Sequence, residues 1–144
     1  MIKRIAILIM VCAALTGCGE KFPDANYDVT GSWHLTKYDS GTKSVNIGSE
    51  AVDIYIEFLS GGVFNLYQKK GEGRYYHYKG TWSRNNNIVS GMYSDYTPWA
   101  CDYKVYKETG GKTLMMTANN FTREQMTLIS SQIPDSVRID AIDK

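Results

Sequence analysis

Cysteine is scarce, with three in 144 residues at positions 12, 18 and 101. Cys12 and Cys18 fall in the amino-terminal segment, so Cys101 has no partner and no disulfide framework staples the chain. A leftover thiol of this kind is most often a small buried apolar residue, and alternation places Cys101 facing inward on its strand. Histidine is scarcer still, at His34 and His77 alone. No H-x-H, H-E-x-x-H or C-x-x-C spacing occurs, so neither a metal site nor a Cys/His nucleophile pair is expected, and no cofactor. The carboxylates Asp53 and Glu57 share one face of a strand, but four residues there span about 13 Å, too far for a glycosidase pair. An enzyme is therefore not expected. Excess charge is lacking too: the formal net charge is +1, and without Lys3 and Arg4 the 14 remaining basic side chains face 15 acidic ones. No overall field draws such a chain to nucleic acid. Lys69, Lys70, Arg74, Tyr75, Tyr76, Tyr78, Lys79 and Arg84 do interleave cations with aromatics, but period two divides them between two faces, against a nucleic-acid groove. Internal repeats, low-complexity tracts and helical periodicity before the tail are all absent.

No apolar run is long enough to span a bilayer, which takes about 20 residues. The longest, Ile5 to Ala14, has the length of a signal-peptide core and follows the cationic Met1-Ile2-Lys3-Arg4. Leu15-Thr16-Gly17-Cys18 comes next and matches a lipobox, in which small residues before Cys direct acylation of the thiol and cleavage just ahead of it. Residues 1–17 are thus expected to be a lipoprotein signal peptide and Cys18 the lipidated first residue of the mature chain. Several acyl chains at about 0.8 kcal/mol per buried CH₂ anchor firmly where one does not. Gly19 stands where inner-membrane lipoproteins often carry Asp, and by resemblance to sorted lipoproteins the outer membrane is the expected location. Residues 18–30, with Pro23, Asp24, Asn26 and Asp28, read as a tether.

Beyond the tether the pattern has period two. Val52, Ile54, Ile56 and Phe58 alternate with Asp53, Tyr55 and Glu57, and Phe64 and Leu66 continue the pattern after Ser60-Gly61-Gly62, which predicts a hairpin. Tyr76, Tyr78, Gly80 and Trp82 alternate with His77, Lys79 and Thr81, and Asn85-Asn86-Asn87 suits a tight reversal with positive φ. Further strands are predicted over 31–38, 88–93, 100–108, 113–117 and 125–129. The predicted inward set is Trp33, Leu35, Ile54, Ile56, Phe58, Phe64, Leu66, Tyr76, Tyr78, Trp82, Cys101, Tyr103, Val105, Leu114, Met116, Met126 and Leu128, with His34 and His77 pointing out. Eight short strands joined by tight turns predict an all-β, eight-stranded antiparallel up-and-down barrel over 31–130. Residues 131–144 are expected to be a tail or a short helix lying against the barrel.

Gly31-Ser32-Trp33 at the start of the first strand resembles the G-x-W placement of the lipocalins. The order of lipobox, short linker, G-x-W strand and turn-punctuated strands is similar to lipocalin-like domains of small envelope lipoproteins from gut-dwelling Gram-negative bacteria. The resemblance implies that Trp33 closes one end of the barrel and that a late basic residue, here Arg123, packs over it. It also implies a binding role without catalysis, for a small apolar or amphipathic ligand. Short strands and tight turns imply a smaller mouth than ligand carriers of that family have. The expected lining is Phe58, Tyr76, Tyr78, Trp82 and Tyr103, since aromatic walls adapt to apolar ligands. The alternative is a protein-interaction or inhibitor module with a filled barrel, presenting an exposed aromatic loop from Tyr93 to Trp99 to an envelope partner.

Overall fold

The computed structural model describes residues 27–42, 44–46 and 52–144. The expected signal peptide, Cys18 and most of the tether lie outside the described residues. The strands are β1 (Gly31–Asp39), β2 (Ser44–Asn46), β3 (Val52–Phe58), β4 (Val63–Lys70), β5 (Tyr76–Asn85), β6 (Ile88–Tyr93), β7 (Tyr103–Lys107), β8 (Thr113–Ala118) and β9 (Gln125–Ser130). Helix α1 (Asp135–Asp140) and the short β10 (Ile142–Asp143) follow.

Eight of these strands pair in the cycle β1-β3-β4-β5-β6-β7-β8-β9 and back to β1, every pair antiparallel. Closure removes the free edges that would invite aggregation. The alternation read in the sequence is what permits this, because one side of each strand is apolar and turns inward. Val29, Phe58, Phe64, Val89 and Leu114 are fully buried, each contributing about 1.5–3 kcal/mol by leaving water. Asn86, in the expected reversal between β5 and β6, adopts φ 52°.

The two ends of the barrel differ. At one, the chain enters through Tyr27–Thr30, and the β3–β4, β5–β6 and β7–β8 turns gather. Trp33, Phe58, Phe64 and Trp82 fill this end; the Trp33 indole N–H donates to the Val29 carbonyl at 2.7 Å, and that of Trp82 to the carbonyls of Leu59 and Val63. Val29 is thus part of the core, although its segment reads as tether in the sequence. The other end carries the β4–β5 turn, the 94–102 segment and the β8–β9 turn.

Three local expectations are corrected. Strand β7 begins at Tyr103, so Cys101 lies in the preceding loop, half-buried. Arg123 sits exposed with φ 52° in the β8–β9 turn. That turn adjoins the Gln125↔Asp39 pair, whereas Trp33 pairs with Ser130 at the far end of the same ladder; Arg123 does not cover Trp33. The aromatic loop is not wholly exposed either, because residues 98–99 fold back along β6 through a Met92↔Pro98 bridge and a Trp99 N–H to Gly91 carbonyl bond.

The tail forms a strap across the outside of β3, β4 and β5. Cross-strand pairing there lines up His34, Tyr55, Tyr67 and His77 in one row, with each imidazole stacked on its neighbouring tyrosine at 4.3 and 4.6 Å. Ile133 and Val137 bury themselves on Tyr55 and Tyr67, Arg138 pairs with Glu57 at 2.9 Å, and β10 adds to β5 in parallel.

Candidate functional site: a cavity at the open half of the barrel

Above the aromatic packing of the filled end, the barrel encloses a cavity of about 220 Å³. Leu35, Ile54, Ile56, Leu66 and Leu128 form its aliphatic wall, with Phe64 below. Met116 and Met126 add unbranched, polarisable side chains that reshape easily. Tyr93, Trp99, Ala100 and Tyr103 close the opposite side. Gln68 is the one side-chain amide on the lining, and among the described residues it takes no hydrogen bond.

The side with Trp99 exists because one seam is short. Strands β6 and β7 share only the pairs Ile88↔Lys104 and Val89↔Tyr103, and the gap beyond them is occupied by the Trp99 ring. That ring packs edge-on against Phe64 at 5.2 Å, Tyr103 at 6.0 Å and Phe58 at 6.3 Å. Gly91 makes room for it: a Cβ at this position would lie 2.1 Å from the indole. Gly80 does the same on the neighbouring strand, where a Cβ would meet the Met92 carbonyl oxygen at 2.0 Å. A glycine inside a strand commonly marks such a close approach.

Electrostatically the cavity is bland. No lining residue carries a formal charge, and the two phenols are held neutral. Burial raises the Tyr103 hydroxyl well above the ordinary tyrosine range, with nearby Cys101 adding to it. Burial likewise raises Tyr93, helped by Tyr78 and Asp95. The walls therefore offer apolar surface, ring edges and a few neutral hydrogen-bonding groups. That chemistry orients a neutral ligand and disfavours a charge at depth.

Of the expected lining residues, Tyr103 lies on the cavity. Tyr78 lines an adjoining cleft. Phe58 and Trp82 belong to the packing of the filled end, their rings 5.3 Å apart. Tyr76 has the inward parity but sits near the rim, exposed, under the Lys144 ammonium at 4.7 Å. Gln68 shares the parity of Phe64 and Leu66, so its inward position was readable. Trp99 was signalled only by Gly91. His34 and His77 lie on the outer face, bonded to Asp53 and Asp143 at 2.6 Å each, and Asp53 also accepts from the Tyr75 hydroxyl. Among the described residues no group of three or more His, Cys, Asp or Glu side chains is placed to hold a metal.

No protein-family model and no curated protein matches the chain. Two solved structures do. An uncharacterized protein from Bacteroides eggerthii matches at TM-score 0.55 and 17% identity, over 72% of this chain and 100% of its own. A lipocalin-like protein from Bacteroides uniformis matches at TM-score 0.55 and 15% identity, over 72% of this chain and 98% of its own. Likeness at this identity concerns the fold, and the fold is a lipocalin-like, closed eight-stranded barrel.

Proposed function

We propose that this chain is a lipid-anchored envelope protein, attached through Cys18 to the outer membrane, whose barrel binds a small apolar or amphipathic molecule without transforming it. The observation that carries the reading is the cavity itself. An apolar cavity of about 150 Å³ is enough to bind benzene, and this one, at about 220 Å³ and open at the mouth, takes one or two rings of a ligand whose remainder stands in the mouth. The lipobox and the preceding apolar run support the anchor. Residues 27–30 lie at the filled end, opposite the mouth.

The test uses the full chain carrying Cys18→Ser, so that no detergent competes for the probe. The neutral fluorophore N-phenyl-1-naphthylamine should bind at about one site and raise the melting temperature, ligand at tenfold Kd adding about 1.4 kcal/mol. Ala100→Trp, at an exposed position on the rim, should block entry while leaving the fold in place. Emission no greater than with urea-unfolded protein would end the ligand-binding reading. The interaction-module alternative draws on Tyr96 and Phe121, which stand 84% and 96% exposed on loops at the mouth end. Under that reading Tyr96→Ser abolishes partner capture, and no probe enters the barrel.

A further inference from the structure

The wall beside the cavity is incomplete. Strands β5 and β6 pair from Asn85↔Ile88 to Gly80↔Tyr93, where β6 ends, but β5 continues to Tyr76 between β4 and β10. The notch left above Gly80 is a cleft of about 380 Å³ that shares Leu66, Gln68 and Tyr93 with the cavity. The two spaces are therefore neighbours on either side of these three residues, but their chemistry differs. The inner one is uncharged, whereas the outer one presents the Tyr78, Ser94 and Thr97 hydroxyls, Asp95, Lys79 and Lys144.

The strap puts Lys144 there. Its backbone N–H donates to the His77 carbonyl at 3.0 Å, one step after Ile142 donates to Tyr75 at 2.8 Å, while Asp143 is held by His77 at 2.6 Å. Among the described residues neither the Lys79 nor the Lys144 ammonium is paired with a carboxylate. Asp95, the one acidic side chain lining the cleft, already accepts the Thr97 N–H at 2.9 Å. Two ammonium groups without a carboxylate partner, that of Lys144 lying over the Tyr76 ring at 4.7 Å, thus flank a carboxylate bonded to its own loop.

We propose that this cleft is a second subsite, built jointly by the β5–β6 gap and the carboxy-terminal strap, for the anionic head of an amphiphile whose apolar part fills the cavity. The proposal rests on the ligand-binding reading above and narrows it to an amphiphile with its charge at the side of the mouth. Gln68, common to both spaces, would meet the polar atoms at the junction.

Two probes that share one skeleton separate the parts. 1-Anilinonaphthalene-8-sulfonate is N-phenyl-1-naphthylamine with a sulfonate added. On full-length Cys18→Ser protein the sulfonate probe should bind more tightly, and only its affinity should fall with added salt, since exposed charge pairs are screened. The double substitution Lys79→Gln with Lys144→Gln should weaken the sulfonate probe about fivefold more than the neutral one, the scale of two exposed charge contacts. Deleting Lys144 alone should give part of that loss. If the neutral probe binds but the sulfonate gains nothing, or the lysine changes move both probes equally, the head subsite is wrong and the cavity reading stands. If neither probe binds, both fall.

Discussion

Trp33 places its ring in the filled end, 2% exposed, and its N–H on the carbonyl of Val29, which tightens the entry of the chain onto the first strand. Truncating a buried Trp to Ala costs about 3–5 kcal/mol, a large share of the stability of a small domain. Trp33→Ala is therefore expected to unfold most of the population under mild denaturant. Trp33→Phe keeps an aromatic ring but leaves the Val29 carbonyl without its donor, for a loss of about 1–3 kcal/mol; urea midpoints of the two variants measure this order. Gly91 is the other single residue on which a structural feature turns. With a Cβ there the Trp99 indole has to leave its seat, so Gly91→Ala should lose about 1–3 kcal/mol as overpacked sites do. It should also shift tryptophan emission to the red and open the β6–β7 seam to quenchers. Unchanged emission would place Trp99 elsewhere in solution.

At the scale of elements, the strap is joined to the barrel by a mixture of contacts that respond to different perturbations. Val137 and Ile133 supply apolar burial, β10 supplies backbone pairing, and the Arg138–Glu57 pair is the charged clamp, with Asn65 and Ser32 also donating to Glu57. Arg138 holds the Glu57 carboxyl below the ordinary glutamate range; burial opposes this, and the Asn65 and Ser32 bonds reinforce it. A depressed carboxylate contributes stability above the unfolded value of about 4.3 and loses it as the pH falls through the folded value. Stability should thus decline with acid below about pH 4.3, and Glu57→Gln should flatten that decline while lowering stability at neutral pH. A pH profile unchanged by Glu57→Gln would remove the clamp from the account. Val137→Asp buries an unpaired charge and should release the strap as a unit. The amides of Ile142 and Lys144 would then lose hydrogen-exchange protection while those of β8 and β9 keep theirs.

For the whole molecule, the attachment proposed at Cys18 and the described fold occupy separate stretches of the chain. The described fold starts at Tyr27, nine residues beyond Cys18, and the first described residues packed into its core are Tyr27 and Val29. Cys18→Ser should therefore move the protein from the membrane fraction to the soluble one, with the melting temperature of the domain unchanged to within about a degree, given that about 1 kcal/mol moves a domain of this size by about 4–8 °C. Wild-type protein recovered without acyl chains by mass spectrometry would dismiss the anchor.

The alternation of Val52 to Phe58 and of Phe64 and Leu66, with the glycine and asparagine turns, specified strands, faces and closure, because period two is a local property and eight such strands have few ways to bury their apolar sides. The Leu15 to Cys18 stretch on which the proposed anchor rests is likewise a linear motif, read without any fold. Parity told that Tyr76 and Tyr78 face inward but not how far along the barrel axis they stand. Distance from the filled end depends on the stagger of paired strands, and this leaves Tyr76 at the rim and Phe58 and Trp82 in the packing. Trp99 escaped for a related reason: its place is set by where β6 and β7 stop pairing and by the space above Gly91, both long-range facts. Lys144 reaches the cleft only because β10 docks beside β5, 66 residues earlier in the chain. Local pattern decided which side chains are apolar-facing; strand register and the strap decided which of them surround a space.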